Sequence, residues 1–434
     1  MTTFPFETLR RWPDLESAEL VAVDAADRLI LSELEHEVRA DPSLLESGLV
    51  VIGDNFGAIT LGAIAELGFA SVRVHQDALS GELALANNAE ATKVTGFTNH
   101  ELGPDLVAGA RIVALRLPRS LDQLDQWSAL IAAYAAPDVQ VFAGGRIKHM
   151  TLGMNDVMKQ YFEKVIASLA VQKSRVLRAR GPITEAGATD LAFWPKSKRY
   201  DMIDMTIAAH GGVFAGINLD IGTRELLNVL DQTPTTAERI IDFGCGTGVL
   251  AVAIARSHPK AAVIASDQSA AAVLSAQATV EINNLADRIS VVRDDALAGQ
   301  ADASADLILF NPPFHSGAAV HSDTSIRLFE DAARVLKPGG FVLITLPDVQ
   351  KICQIIANGG LEEVLYRSPV GPITPLDVLF GHQDSIARGN NYMAHRTAFD
   401  AARLSEQLHK TGFTEIRVRK GDAFDLWAVA LKGA

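Results

Sequence analysis

The chain has 434 residues with 48% hydrophobic and 21% charged side chains, and its formal net charge is −13. This length accommodates two domains, and the composition is that of a globular protein with ample apolar side chains for a core. The negative charge argues against a protein coated with phosphate-binding residues.

The sequence carries no signal of a membrane or secreted protein. No apolar run reaches the roughly 18–20 residues of a membrane span, and the segment beginning Met1–Phe4 lacks the basic-then-apolar pattern of a signal peptide. The two cysteines, Cys245 and Cys353, offer neither a disulfide framework nor a metal cluster. We therefore expect a cytoplasmic protein without membrane contact and without a metal.

The first half alternates apolar runs typical of strands with helical stretches. The strand-like runs lie at 49–52, 71–75, 111–115 and 139–143. The first run leads into Gly53 and Gly57 and then into a helical segment, and the third leads into Arg116-Leu117-Pro118-Arg119. This rhythm predicts a doubly wound sheet over residues 1–180.

Basic residues concentrate between residues 140 and 200, which contain eleven Lys/Arg and four Asp/Glu. On an acidic protein such a stretch is either an RNA-binding surface or an ordinary solvated face, and charge alone favours the solvated face. The largely polar segment 181–204, which overlaps the end of this stretch and begins Gly181-Pro182, is typical of a connector between domains.

The second half repeats the rhythm with stronger signals. Its strand-like runs lie at 239–243, 262–266, 289–292, 307–310 and 340–344, with helical stretches between them. The chain is therefore expected to be an α/β protein with two Rossmann-type doubly wound sheets in tandem. Because the motifs of the first half are reduced, we interpret the chain as a duplication in which only the second copy, residues 205–434, kept its chemistry.

The first loop of the second copy has glycine at every second position, Gly244, Gly246 and Gly248, and Asp242 precedes it. Glycines between a strand and a helix let the backbone approach a ligand closely and present N–H groups at the helix N-terminus. The spacing differs from the dinucleotide-binding pattern. It predicts a pocket for another nucleotide-type cofactor.

Two carboxylates follow the next two strands of the second copy. Asp267 ends the second strand, where it is placed to accept both hydroxyls of a ribose, and Asp295 follows the third strand, where it can cap an adenine amine. Either acid alone is more typical of a helix cap or a solvated strand end. The prediction therefore depends on the ordered set and not on a single residue.

The fourth strand of the second copy ends in Asn311-Pro312-Pro313-Phe314. Consecutive prolines end the strand and hold a stiff turn at the edge where open parallel sheets bind ligands. We expect the Asn311 side-chain oxygen and the Pro312 carbonyl to accept the two hydrogens of a planar amine, and Phe314 to stack on its ring. The turn alone is equally typical of an ordinary Pro-Pro loop with a buried phenylalanine.

Over about residues 205–347, the ordered set resembles the class I S-adenosylmethionine-dependent methyltransferases. More specifically, the chain resembles the bacterial rRNA guanine-N2 methyltransferases, whose members carry a degenerate methyltransferase-like domain before the active one. The segments that carry the narrower resemblance are Gly212-Val213-Phe214, Leu219-Asp220-Ile221-Gly222-Thr223, the glycine loop, Asn311-Pro312-Pro313-Phe314-His315 and Leu336-Lys337-Pro338-Gly339-Gly340.

The resemblance implies S-adenosylmethionine as the cofactor and ribosomal RNA, or a ribosomal subunit assembly intermediate, as the partner. It implies that residues 1–180 dock the RNA and that a flipped-out guanine is methylated at N2. The implied cofactor-binding residues are Asp242, Gly244, Gly246, Gly248, Asp267 and Asp295. The implied catalytic residues are Asn311, Pro312 and Phe314, and those on the substrate side are Pro313, His315 and Phe214.

Beyond Thr345 the chain departs from that family, so residues 348–434 are expected to form an atypical insertion and tail. The runs 414–418 and 426–431 predict an antiparallel pair that closes the second sheet. One interpretation places the insertion over the substrate mouth, with His382, His395 and Arg396 near it, although single histidines are more often structural.

Other acceptors stay open at this point, because Asn-Pro-Pro-aromatic turns suit planar nitrogens generally. An adenine amine or a protein glutamine amide are alternatives, and the unusual tail prompts a small molecule as a third. A non-catalytic RNA-binding assembly factor is the alternative from another class, and the intact glycine loop with Asp267 and Asp295 argues against it. The sequence does not indicate an oligomeric state.

Overall fold

The computed structural model describes residues 4–16, 20–230, 236–312, 322–368, 371–381, 383, 398–421 and 425–433. The chain divides into two compact units, Met1–Trp194 and Pro195–Ala434, which we name the first and the second unit. The division falls inside segment 181–204, which the sequence predicts as a connector. In the structure this segment contains a helix of the first unit and a strand of the second.

The first unit is a seven-stranded sheet with helices against it. Its strands are β1 Leu49–Ile52, β2 Val72–His75, β3 Phe97–Asn99, β4 Ile112–Arg116, β5 Gln140–Arg146, β6 Phe162–Ala167 and β7 Ser174–Pro182. Its helices are α1 Ala25–Ala40, α2 Leu44–Ser47, α3 Ala58–Gly62, α4 Leu79–Thr92, α5 Pro104–Val107, α6 Leu121–Tyr134, α7 Leu152–Tyr161 and α8 Thr184–Leu191.

The strand order of the first sheet is β3-β2-β1-β4-β5-β7-β6. The first five strands are parallel, and β7 runs antiparallel to both β5 and β6. The four predicted strands correspond to β1, β2, β4 and β5, whereas the sequence did not reveal β3, β6 or β7. In β6 most side chains are exposed, so this edge strand lacks the apolar pattern that marks a buried one.

Part of the basic stretch is neutralised inside the first unit. Arg178 on β7 forms an ion pair with Glu33 on α1, and Arg180 forms one with Glu37 on the same helix at 2.9 Å. These two arginines therefore hold α1 against the sheet.

The second unit contains a second seven-stranded sheet and two strand pairs. Its strands are β8 Lys196–Tyr200, β9 Met205–Ala209, β10 Arg239–Phe243, β11 Ala262–Asp267, β12 Ile289–Arg293, β13 Ala305–Phe310, β14 Leu336–Pro347, β15 Tyr366–Ser368, β16 Gly371–Ile373, β17 Phe413–Lys420 and β18 Asp425–Lys432. Its helices are α9 Ile221–Val229, α10 Val249–Ser257, α11 Ala270–Ile282, α12 Ser322–Val335, α13 Val349–Ala357, α14 Pro375–Phe380 and α15 Ala401–Lys410.

The second sheet has the order β12-β11-β10-β13-β14-β18-β17, which repeats that of the first sheet position by position. Strands β10 to β14 are parallel, and β18 pairs antiparallel with β14 and β17. The predicted closing pair of the tail is thus confirmed as β17 and β18. Two Rossmann-type sheets in tandem, each with an antiparallel end, confirm the predicted fold class.

Alternation along β13 sets the face on which its last residues lie. Leu307 and Leu309 belong to the buried cluster that includes Leu226 of α9, whereas Ile308 and Phe310 belong to the cluster on the opposite face. Because side chains alternate along a strand, Asn311 continues on the α9 side.

Within the described parts of the chain, no helix is long and apolar enough to cross a membrane.

Candidate functional site

The glycine loop lies between β10 and α10 at the carboxyl edge of the second sheet. Gly244, Gly246 and Gly248 have φ values of +72°, +51° and +76°, a left-handed backbone that side chains with a Cβ disfavour. The N–H of Gly244 donates to the Ser266 carbonyl at 2.8 Å and ties the loop to β11. A Cβ built on Gly244 or Gly246 would meet no atom of the described chain within 4 Å. The loop therefore borders open space, as a cofactor cradle requires.

Asp267 ends β11 beside this loop. One of its carboxylate oxygens accepts from the N–H of Gly246 at 3.0 Å, and the other accepts from the N–H of Ser269 at 2.9 Å. The structure thus brings together the loop and the acid that the sequence assigned to a ribose, and the acid fixes the loop.

Asp242 lies beneath the loop, buried in β10. Its carboxylate accepts from the N–H of Ala251 in the first turn of α10 at 2.9 Å. Burial, together with the nearby negative charge of Asp267, raises the pKa of Asp242 to about 7. This contact joins the strand to the helix, and the side chain faces protein instead of open space.

Asp295 follows β12 and is engaged by an arginine. Its carboxylate forms an ion pair with the Arg327 guanidinium on α12 at 2.5 Å. This partner was not predictable from local sequence, because it lies 32 residues further along the chain. An adenine amine at Asp295 would share the carboxylate with Arg327.

Asn311 and Pro312 follow the last residue of β13 at the same edge of the sheet as the glycine loop. Phe310 pairs with Phe243 in the register of β13 and β10, so the residues that come next, Asn311 and Gly244, leave adjacent strands at one level. The Asn311 amide nitrogen donates to a carboxylate oxygen of Asp220 at 3.0 Å. The acceptor end and the cofactor end of the predicted site therefore share one edge.

Of the residues predicted on the substrate side, the structure describes only Phe214. Phe214 lies between β9 and α9 with half of its surface exposed. Pro313, Phe314 and His315 lie outside the described residues, as do His382, His395 and Arg396.

Two neighbours of Asn311 were missed as site residues. Asp220 precedes α9 and caps it, and Thr223 lies in its first turn. The sequence signal for both was an aspartate three residues before a threonine ahead of an apolar run, which reads as a helix cap.

Both halves of the chain match known protein families. Residues 204–367 match the methyltransferase small domain family, and residues 1–182 match the RLMG N-terminal domain family. The ribosomal RNA large subunit methyltransferase G of Pseudomonas fluorescens Pf-5 is 33% identical over 344 residues, which cover 77% of this chain and 87% of that protein. The Streptomyces coelicolor protein of the same name is 32% identical, with coverage of 76% and 87%.

A solved structure is similar over most of the chain. It is the T. thermophilus 16S rRNA N2 G1207 methyltransferase, in complex with AdoMet and guanosine. The TM-score is 0.59 at 19% identity, and the match covers 90% of this chain and 92% of that one. This likeness concerns the fold.

Proposed function

Since the chain belongs to the ribosomal RNA large subunit methyltransferase G family and is an S-adenosylmethionine-dependent methyltransferase, we propose that it methylates the exocyclic N2 of a guanine in ribosomal RNA. The relatives' name specifies large-subunit RNA. The name of the solved relative specifies N2 of a guanine, and that protein was captured with guanosine. Such a reaction belongs in the cytoplasm, on free RNA or on an assembling subunit.

The residues of the second unit fit the cofactor. Open space borders Gly244 and Gly246, where backbone N–H groups at the start of α10 favour a polar or anionic group. Asp267 supplies carboxylate oxygens for ribose hydroxyls, since it already lies against this loop. We assign the loop and Asp267 to cofactor binding, Asp295 to the adenine side, and Asp242 to support of the loop from below.

The single observation that supports the acceptor assignment is the contact between the Asn311 amide and Asp220. Asp220 holds the amide nitrogen at 3.0 Å, and this leaves the amide oxygen as the group that can accept from a substrate amine. Two acceptors, this oxygen and the Pro312 carbonyl, suit the two N–H bonds of an exocyclic amine. Accepting those bonds aligns the nitrogen lone pair and favours the positive charge that develops on nitrogen.

When bound, S-adenosylmethionine would supply an electrophilic sulfonium methyl for the amine nitrogen, and its sulfur would keep the electron pair of the broken carbon–sulfur bond. The amine then loses one proton to water. The chain contributes position and electrostatics, and we assign no general base. We further propose that the base leaves its helix and stacks on Phe314, with Pro313, His315 and Phe214 on the substrate side.

Docking of the RNA is proposed for the first unit. Arg119 follows β4, Arg146 ends β5, and Lys148 and His149 follow β5, so that the charges of the three cations act on His149. Burial and these three cations lower the pKa of His149 to about 4. At neutral pH the histidine is therefore uncharged, and the positive potential comes from the arginines and the lysine, which can contact phosphates without reading sequence.

The test is transfer of tritiated methyl from S-adenosylmethionine to unmodified large-subunit RNA, followed by digestion and identification of the labelled nucleoside. Free RNA and purified large subunits are assayed in parallel. We expect label in N2-methylguanosine with at least one of the two substrates. Label in a methylated adenosine, or in protein, would replace the proposal with one of the alternative acceptors.

A further inference from the structure

The side chain of Asn311 is held by the start of α9. Its amide nitrogen donates to Asp220 Oδ1 at 3.0 Å and lies 3.5 Å from the Thr223 hydroxyl oxygen. Asp220 Oδ1 also accepts from the N–H of Thr223 at 3.1 Å, and Oδ2 accepts from the Thr223 hydroxyl. Asp220 thus joins the helix cap to the residue that we assign to the methyl acceptor.

This contact fixes which end of the Asn311 amide faces Asp220. A carboxylate can only accept hydrogen bonds, so the NH2 group must face Asp220. Rotating the amide by half a turn would place its oxygen against the carboxylate and leave the amide without that bond. Asp220 therefore selects the rotamer in which the Asn311 oxygen is directed away from it.

Gly222 provides the room for this arrangement. It lies in the first turn of α9 with an ordinary right-handed backbone, so conformation does not require glycine there. A Cβ at this position would overlap the amide group of Asn311. Close approach of the helix backbone to the amide is therefore the physical reason for a glycine at this position.

The first unit shows that the fold itself builds this contact. Arg116 follows Leu115, which pairs with Ile52, as Asn311 follows the residue that pairs with Phe243. Arg116 binds Asp24, the N-cap of α1, and Asp27 three residues later. At the carboxyl ends of β4 and β13, both units therefore place a side chain against the N-terminal cap of the helix that precedes the first parallel strand, α1 or α9.

We propose that Asp220 is a positioning residue for methyl transfer: it orients the Asn311 amide so that the amide oxygen receives the substrate amine. Thr223 assists by holding the second carboxylate oxygen, and Gly222 by leaving space. The inference rests on the acceptor role proposed for Asn311. The positioning role of Asp220 differs from a purely structural role. Several residue types can cap a helix, whereas a side chain that reaches Asn311 needs the length of aspartate or asparagine.

The test compares Asp220→Ser with Asp220→Asn. Serine preserves the cap but is too short to reach Asn311, and asparagine keeps an oxygen that accepts from both Thr223 and Asn311. We expect Asp220→Ser to lower kcat on the order of 10²-fold through misplacement of the amide, with S-adenosylmethionine affinity and melting temperature unchanged. Asp220→Asn should recover most of kcat.

The matched control is Asp400→Ser, which changes the N-cap aspartate of α15 and should leave kcat unchanged. Wild-type kcat in Asp220→Ser, or equal loss in Asp220→Asn and Asp220→Ser, would overturn the inference. Asn311→Ala separates the two proposals. If it is inactive while Asp220→Ser is fully active, only the role of Asp220 fails; if it is fully active, the acceptor role of Asn311 fails.

Discussion

The two units share a backbone and differ in the side chains placed on it. Their central sheets have the same strand order, and each has a five-residue loop after its first central strand. In the first unit Gly53, Asn55 and Gly57 have φ values of +78°, +58° and +93°, close to those of the glycine loop in the second unit. The duplicated loop has kept its left-handed conformation even where asparagine replaces glycine.

The strand register shows which residues of the first unit stand at the positions of Asp267 and Asn311. The N–H of Gly53 donates to His75 as that of Gly244 donates to Ser266, so Gln76 stands where the second unit has Asp267. The Gln76 amide donates to the Gly81 carbonyl at 2.9 Å, a contact within the fold. At the end of the fourth strand, Arg116 in an ion cluster stands where the second unit has Asn311.

Both units also contain a buried carboxylate that contacts a helix. Asp54 is buried and accepts from the N–H groups of Ile59 and Thr60 at 2.8 and 2.7 Å, and burial raises its pKa to about 7. Asp242 makes a similar contact with Ala251 of α10, but from β10, whereas Asp54 lies in the loop after β1, at the position of Cys245. Because the first unit also has a buried carboxylate against a helix, we expect Asp242 to support the fold, and Asp267 and Asn311 to contact the ligands.

The largest expected effect is on activity. Asn311→Ala removes the acceptor of the amine and should lower kcat on the order of 10³-fold, the loss seen when a positioned transition-state contact is deleted. Cofactor affinity should not change, since Asn311 is not part of the loop. The measurement is single-turnover methyl transfer, and activity equal to wild type would show that Asn311 is not the acceptor.

The equivalent change in the first unit should act on stability. Arg116→Ala leaves the carboxylates of Asp24 and Asp27 without their cation, and removing one partner of a largely buried ion cluster should cost about 3 kcal/mol. Urea unfolding monitors the free energy. If Arg116→Ala instead lowered kcat in fully folded protein, the first unit would hold more chemistry than the comparison assigns to it.

Cofactor affinity should depend on Asp267 and be independent of Gln76. Asp267→Ala removes charge-assisted hydrogen bonds, so we expect the Kd for S-adenosylmethionine to rise by the equivalent of about 2 kcal/mol. Gln76→Ala is the matched control and should bind as wild type does. Titration calorimetry distinguishes the outcomes, and an unchanged Kd in Asp267→Ala contradicts the assigned pocket.

The smallest expected effect is on the pH dependence of folding. A carboxyl group with a folded pKa near 7 and an unfolded pKa near 3.8 stabilises the fold below pH 4 and loses that contribution as pH rises toward 7. Asp242→Asn removes the titration and can still accept from Ala251. Between pH 5 and 6 the wild-type free energy of unfolding should therefore fall by about 1.4 kcal/mol more than that of the variant. Equal slopes would mean that Asp242 titrates normally.

The sequence predicted what depends on local pattern. Buried parallel strands such as β10 and β13 are short apolar runs, and the glycine loop and the Pro-Pro turn follow them directly in the chain. The partners of the predicted residues were not predictable in the same way. Asp220 lies 91 residues before Asn311, so only the folded topology brings them together. Edge strand β6 was missed because few of its side chains are buried.

The most direct test of a single surviving active site is the stoichiometry of S-adenosylmethionine binding to the intact chain by titration calorimetry. We expect one molecule per chain, with that binding weakened by Asp267→Ala and unaffected by Gln76→Ala. Two molecules per chain, or one whose affinity responds to Gln76→Ala and not to Asp267→Ala, would contradict the conclusion that the first unit keeps only the fold.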